Sequence, residues 1–238
     1  MSENTRSVVF AALLSLICCV LITAACTGLQ KYQKANVELD RQVNVVRAAG
    51  LLEGDKEFTA EEIRRIYAER IVNAWVDSRG EVLLSPPPSE RTDVYPLYLC
   101  KEGDRLYATI IPLDSRGLWG RIYGYLALAR DGETVVGFSV ARHAETPGLG
   151  GEIESPWFTR QFKGKKIVDF EKNFVSVSIA KGEARGRVPD DRMANTVDGI
   201  SGATLTGNYL SQGLKETLQR FEPFSSRLRK GEADDLRL

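Results

Sequence analysis

One stretch near the end of the chain reads Asp198-Gly199-Ile200-Ser201-Gly202-Ala203-Thr204-Leu205-Thr206. It leads into apolar residues at helical spacing, which predict a helix with one buried face. That face would hold Leu205, Tyr209 or Leu210, Leu214, Leu218 and Phe221. The start of a helix offers unpaired N–H groups and a positive dipole end, and glycines allow close backbone approach. The stretch is therefore a candidate phosphate site. A Ser or Thr N-cap without any ligand is the simpler alternative.

A second unusual stretch reads Arg142-His143-Ala144-Glu145-Thr146-Pro147-Gly148-Leu149-Gly150-Gly151. Its glycines and proline predict a tight, rigid loop after a strand. An ordinary turn would explain this composition. The functional alternative is a loop that packs against a planar ring and hydrogen-bonds the ring's polar edge through peptide groups. His143 is the only histidine of the chain, and we expect it to be structural.

Taken together, the two stretches resemble FMN-binding domains that carry the flavin covalently. In that family a flavin transferase esterifies the FMN phosphate to the last threonine of Ser-Gly-Ala-Thr. The resemblance implies Thr204 as the acceptor, a phosphodiester link, and Thr206 as a nearby threonine that is not modified. It also implies cofactor contacts from the other motif residues: Asp198, Ser201, Gly202 and Ala203 near the phosphate, and Glu145, Thr146, Gly148 and Leu149 along the isoalloxazine ring. Asp198 would serve the transferase during attachment or brace the turn.

Further segments extend the resemblance over essentially the whole chain. They are Gly117-Leu118-Trp119-Gly120, Gly124-Tyr125-Leu126-Ala127, Gly150-Gly151-Glu152-Ile153 and Phe162-Lys163-Gly164-Lys165, with Gln33, Leu39, Gln42 and Gly50 nearer the start. All are similar to the C-subunit family of the sodium-translocating NADH:quinone oxidoreductase (Na+-NQR). The G subunit of the Rnf ferredoxin:NAD oxidoreductase shares an N-terminal transmembrane segment and both motifs, and it is the nearest alternative.

The resemblance implies a membrane-anchored electron carrier within a multi-subunit translocase. That complex would oxidise NADH, reduce ubiquinone and export Na+, and this protein would not be catalytic alone. Its implied partners are the other subunits, a flavin transferase and the lipid bilayer of the bacterial inner membrane, with the main domain on the periplasmic side. A flavin-dependent sensor and a non-redox anchored scaffold are alternatives from other functional classes.

The composition excludes several other classes of protein. Thirty-two basic and 32 acidic residues cancel, so nothing predicts nucleic acid as a partner. Three of the four cysteines, Cys18, Cys19 and Cys26, lie in one apolar run, and no CxxC pair is present. The chain alone is therefore not expected to build a metal site, although a metal shared with a partner protein stays an alternative.

The apolar run covers residues 8–29, and residues 7–30 carry no charge. This exceeds the roughly 20 residues that cross a bilayer, so we expect a transmembrane helix. A signal peptide, whose apolar core is usually about 7–15 residues, is the alternative. Arg6 precedes the run while Lys31, Lys34 and Arg41 follow it. Charge alone would therefore favour the opposite orientation, and the periplasmic side rests on the resemblance.

The resulting prediction is an α+β protein with one transmembrane helix and a single domain rich in antiparallel sheet, flanked by helices. We expect a tail at 1–7, the transmembrane helix at 8–29, a stem at 30–58 ending its helix near Gly50, the FMN-binding domain at 59–226 and a charged tail at 227–238.

Within the predicted domain, a capping box at Thr59 starts a helix expected to reach Gly80. Two hairpins are expected, at 95–111 and 122–140, around turns at Gly103 and Asp131-Gly132. A short helix is expected at 156–162, followed by two strands near 166–170 and 175–179.

Overall fold

The computed structural model describes residues 2–52, 57–88 and 91–232, and the chain divides into two compact units, Met1–Asp40 and Arg41–Leu238. Residues 3–40 of the first unit lie in helix α1, which runs from Glu3 to Ala48. Among the described residues, α1 is the one helix long and apolar enough to cross a membrane, by length and composition. Apolar side chains of its first part, such as Phe10, are exposed.

The end of α1 belongs to the core of the second unit. Val45 and Val46 are fully buried, and the Ser139 hydroxyl donates to the Asn44 carbonyl at 2.8 Å. The helix ends before Gly50, whose φ of 72° suits glycine. Residues 41–49 of the predicted stem are thus part of the folded domain.

Helix α2 spans Ala60–Arg70 and begins with the predicted capping box. The Thr59 hydroxyl accepts from the Glu62 N–H at 3.3 Å, and the Glu62 carboxylate accepts from the Thr59 N–H at 2.8 Å. The prediction that this helix reaches Gly80 is wrong, because strand β1 follows directly at Ile71–Asp77. Its β-branched residues favour extended backbone, and strands pair with both of its edges, which outweighs the helical spacing.

Six antiparallel strands form the main sheet, in the order β2-β1-β3-β4-β5-β6. After β1 come β2 (Val82–Leu83), β3 (Val94–Glu102), β4 (Arg105–Arg116), β5 (Arg121–Ala129) and β6 (Val135–Arg142). Both predicted hairpins are confirmed, β3–β4 and β5–β6, with Gly103 and Gly132 at positive φ in their turns. The α+β architecture is as predicted.

The segment between β6 and the last helix, residues 143–203, consists of short elements joined by irregular chain. It contains helix α3 (Pro156–Thr159) continued by a 3₁₀ turn at Arg160–Phe162, 3₁₀ helices at Gly150–Glu154 and Asp190–Asn195, and strands β7 (Ser178–Ile179) and β8 (Thr196–Val197). The short helix is confirmed. The two strands predicted near 166–170 and 175–179 are wrong in extent, because only isolated bridges and the two-residue β7 form there.

Helix α4 runs from Thr204 to Arg229 and packs against the sheet. Four residues of its predicted face are buried, namely Leu210, Leu214, Leu218 and Phe221. Leu205 is 52% exposed, so its assignment to that face is wrong: it lies in the first turn, which the functional motif occupies. The helix continues to Arg229 and Leu228 is buried, so residues 227–229 of the predicted charged tail are helical.

Candidate functional site

The Ser-Gly-Ala-Thr motif forms the start of α4. Thr204 is the first helical residue, and Ala203 is the N-cap with φ −120° and ψ 34°. Within the described chain no side chain caps this end, and its first turn holds no acidic residue. The simple N-cap alternative is therefore not what the structure contains. Gly202 turns the chain at φ 76°, so the first N–H groups of a long helix remain available to an anion.

The two threonines of the motif have opposite environments. Thr204 is exposed, while Thr206 is only 1% exposed. The Thr206 hydroxyl donates to Glu145 Oε2 at 2.5 Å. Thr204 is thus the threonine of the motif that is open to solvent.

The approach to the helix is fixed by hydrogen bonds from two neighbouring segments. Asp198 Oδ1 accepts from the Ala184 N–H at 2.7 Å, and the Asp198 N–H donates to Gln161 Oε1 at 2.8 Å. The Gly199 N–H donates to the Gly182 carbonyl at 2.7 Å. A side chain on Gly199 would collide with the backbone of this segment. In this structure the Asp198 carboxylate braces the turn.

A partly buried lysine lies near Asp198. Lys165 Nζ donates to the Met193 carbonyl at 2.8 Å. Burial lowers the pKa of Lys165, and the charge of Asp198 partly opposes that change. Nothing in the local sequence pattern indicates that Lys165 is partly buried. The sequence singles it out only as part of a segment that carries the family resemblance.

The loop after β6 folds around one carbonyl group. The Thr146 carbonyl accepts from the N–H groups of Leu149, at 3.1 Å, and Gly151, at 2.9 Å. Gly148 makes the turn possible with φ 74°. The Leu149 side chain lies over Gly202, because a Cβ added to Gly202 would be 2.8 Å from Leu149 Cδ2. The structure therefore brings both motifs together at the start of α4.

His143 connects two parts of this loop. Its Nδ1 accepts from the Glu145 N–H at 3.1 Å, and its Nε2 lies 3.2 Å from Glu154 Oε2. These partners assign the neutral ring's proton to Nε2, which donates to Glu154. The expected structural role agrees with this geometry.

Four apolar side chains of the motif, of the loop after β6 and of the connection between β4 and β5 are exposed. Leu118, Trp119, Leu149 and Leu205 are 45%, 69%, 44% and 52% exposed. The Trp119 side chain lies on the surface. Its backbone N–H donates to Glu145 Oε1 at 3.0 Å, which ties this surface to the loop. Exposed Leu149 and Leu205 beside an uncapped helix start suit a ligand with a planar ring and a phosphate.

The cysteines do not form a metal centre within the described residues, where no group of three or more His, Cys, Asp or Glu side chains could hold a metal. Cys18, Cys19 and Cys26 are exposed on α1, and Cys100 is buried. Burial raises the pKa of Cys100 to about 11, so this thiol is poorly suited to reaction.

Sequence reasoning missed the glycines that shape the site. A Cβ on Gly117 would lie 2.5 Å from Glu145 Oε1, and one on Gly150 would lie 2.7 Å from Thr206 Oγ1. No local signal marks either contact, because the partners are distant in sequence. The segments that contain Gly117 and Gly150 carry the family resemblance, which does not indicate these contacts.

Comparisons with known proteins show what the chain is similar to. The FMN-binding domain family matches residues 117–219, which include both motifs. The chain is 32% identical to the C subunit of the Na(+)-translocating NADH-quinone reductase of Yersinia pestis, over 95% of this chain and 93% of that protein. The corresponding protein of Vibrio campbellii is 34% identical, over 92% of each. The crystal structure of the corresponding protein of Parabacteroides distasonis is 28% identical, with a TM-score of 0.70, and covers 83% of this chain and 97% of that one.

Proposed function

The chain belongs to the C-subunit family of Na(+)-translocating NADH-quinone reductase, and we propose that it carries covalently bound FMN as an electron-transfer subunit of such a complex. It has the FMN-binding domain of that family. It is a subunit of an oxidoreductase and is not catalytic alone. When bound, FMN supplies electron transfer, and the protein supplies position and electrostatics.

The proposed attachment site is the hydroxyl of Thr204. The donor is an FMN whose phosphate is joined to a leaving group by a phosphoanhydride bond. Thr204 Oγ forms the new P–O bond, the anhydride bond breaks, and the hydroxyl proton passes to a base of the flavin transferase. The observation that carries this assignment is exposure, because Thr204 is exposed whereas Thr206 is buried and already donates to Glu145.

The residues around Thr204 fit the two parts of the cofactor. Ser201 and the backbone of Gly202 and Ala203 would hold the phosphate, whose remaining negative charge suits the uncapped start of α4. Thr146, Gly148 and Leu149 would line the isoalloxazine ring, where loop peptide groups and the exposed Leu149 side chain meet the motif. Asp198 would hold the turn in the shape that the transferase recognises.

We further propose that residues 8–29 anchor the protein in the bacterial inner membrane, with the FMN-binding domain on the periplasmic side. Support comes from the length and composition of α1 and from the names of the relatives. The other subunits would take electrons from NADH to ubiquinone and export Na+. No charged residue lies in 8–29, so this helix offers no charged side chain to an ion path.

The test is the intact mass of the protein co-expressed with a flavin transferase, with peptide mapping of the modified residue. We expect wild type and Thr206→Val to gain one FMN less one water, and Thr204→Ala to gain nothing. Thr204→Ser is the matched control and should retain modification, because it keeps the hydroxyl. An unmodified wild type, beside a control substrate that is modified, would leave the scaffold alternative.

A further inference from the structure

Glu145 is the buried carboxylate of the site, and both of its oxygens are engaged. Its residue is 4% exposed. Oε2 accepts from the Thr206 hydroxyl at 2.5 Å, and Oε1 accepts from the Trp119 backbone N–H at 3.0 Å. The carboxylate thus joins the first turn of α4 to the connection between β4 and β5. We refer to Glu145, the Thr206 hydroxyl and the Trp119 N–H as the Glu145 bridge.

Two glycines leave just enough room for the Glu145 bridge. A Cβ on Gly117 would lie 2.5 Å from Glu145 Oε1, and a Cβ on Gly150 would lie 2.8 Å from Oε2 and 2.7 Å from Thr206 Oγ1. These distances are shorter than Cβ contacts in proteins allow. Backbone from two separate loops therefore closes around the carboxylate, which holds it against the helix rather than toward the exposed surface.

The bridge also restrains the rotation of the first helical turn. Successive residues of an α-helix are about 100° apart, so residues separated by two positions point about 200° apart. Because Thr206 is held inward by Glu145, Thr204 must point outward. The helix end itself has no side-chain cap among the described residues, so the hydrogen bond from Thr206 to Glu145 ties a side chain of the first turn to a neighbouring loop.

We propose that Glu145 is a positioning residue for flavin attachment: through Thr206 it sets which threonine of the motif the transferase modifies and how fast. This rests on the proposed function. Glu145 makes no bond to the flavin in this step. The new P–O bond forms at Thr204 Oγ, the donor's anhydride bond breaks, and the proton goes to the transferase. A well-oriented acceptor lowers the entropic cost of that transfer.

The experiment measures the rate of FMN incorporation by purified transferase into the unmodified full-length protein, and maps the modified residue. Glu145→Ala and Thr206→Val each remove the bridge, and we expect each to slow labelling of Thr204 about tenfold, the effect of losing one hydrogen bond to a charged group. Glu145→Gln should stay within about threefold of wild type, because its amide can accept from Trp119 and donate to Thr206.

Two controls separate positioning from general damage. Glu154→Gln changes an exposed carboxylate of the same loop, which contacts His143, and should label at the wild-type rate. The double variant Glu145→Ala with Thr206→Val should be no slower than the slower single variant, because both remove one interaction. Circular dichroism of each variant establishes folding. If Glu145→Ala does not fold, Thr206→Val and Glu145→Gln decide the question.

The outcomes distinguish the two proposals. A wild type that takes up no FMN contradicts the proposed function. A wild type labelled at Thr204, together with folded Glu145→Ala and Thr206→Val proteins labelled at the same rate and residue, overturns the role of Glu145 alone. Effects of the two substitutions that multiply in the double variant would also overturn it, since they would then act independently.

Discussion

At Gly150 the backbone runs so close to the Thr206 hydroxyl that one added methyl group would displace it. The new Cβ would lie 2.7 Å from Thr206 Oγ1 and 2.8 Å from Glu145 Oε2. The φ of Gly150 is not in the left-handed region, so Gly150→Ala tests crowding alone. We expect a loss of about 1–3 kcal/mol in the free energy of unfolding, measured by urea denaturation.

Gly120→Ala is the matched control for this substitution. Its added methyl would meet only the Ala144 side chain, at 3.1 Å, and a small shift would relieve the contact. Gly120→Ala should therefore cost less than half as much as Gly150→Ala. Equal losses in the free energy of unfolding would mean that crowding against the Glu145 bridge does not limit substitution at Gly150.

A second residue-scale prediction concerns Glu133, which is 6% exposed and lies 2.6 Å from both Lys166 Nζ and Lys172 Nζ. Burial alone would raise its pKa, but the hydrogen bonds from the two lysines outweigh burial and lower the pKa below its ordinary value. A carboxyl group with a lowered folded-state pKa stabilises the protein above its unfolded pKa, and that stability is lost as the pH falls through the folded-state value.

The check is the Tm of wild type and Glu133→Gln between pH 7 and pH 3. Wild type should be more stable at pH 7, and the difference in Tm should shrink as Glu133 becomes protonated in acid. Asp131 has a lowered pKa too and is present in both proteins, so it cancels in the comparison. A difference that is constant over this range would rule out the ion pairs as its source.

At the level of single residues, the sequence predicts the exposed acceptor of the site but not its buried contacts. The motif and its resemblance select Thr204 over Thr206 as the acceptor, and that selection stays a prediction. The contact that buries Thr206 could not be predicted, because Glu145 and Thr206 are 61 positions apart. Long-range pairs depend on how the elements pack, and local periodicity contains no information about that packing.

At the scale of the elements, one face of α4 packs in the core, whereas its first turn carries the exposed part of the motif. Leu214 is 1% exposed and lies in the main core, whereas Leu205 is 52% exposed beside Thr204. Leu214→Ala should cost about 2–5 kcal/mol of unfolding free energy, because it leaves a cavity. Leu205→Ala should cost less than about 1 kcal/mol. Urea denaturation of the two single variants measures both, and similar losses would contradict the assignment of Leu205 to the surface.

Elements that are specified by neighbouring residues in the sequence are predicted well, and elements that depend on pairing with distant strands are not. The hairpin at Asp131-Gly132 follows from turn chemistry, with Asp131 Oδ1 accepting from the Glu133 and Thr134 N–H groups. The α2–β1 boundary was missed because the sequence at Ile71–Asp77 permits both helix and strand. Pairing of that segment with β2 and β3 decides the outcome, and pairing is a property of the whole sheet.

For the whole molecule, the question is where the folded domain begins. The sequence predicts a stem up to residue 58, yet Val45 and Val46 are fully buried. The second unit begins at Arg41, whose guanidinium donates to the hydroxyls of Tyr67 and Tyr98 at 3.0 Å. The end of α1 therefore completes the domain core, and this was not visible in the polar composition of the stem.

Two truncations test this boundary. A chain that starts at residue 31 lacks the apolar run but keeps Val45 and Val46, and it should unfold cooperatively with most of the stability of the domain. A chain that starts at residue 50 loses both valines, each worth about 1.5–3 kcal/mol when buried, and exposes the surface that they cover. Because domains are stable by only about 5–15 kcal/mol, it should be largely unfolded by circular dichroism. Equal stability of the two chains would place the start of the domain after Gly50, as the sequence alone suggests.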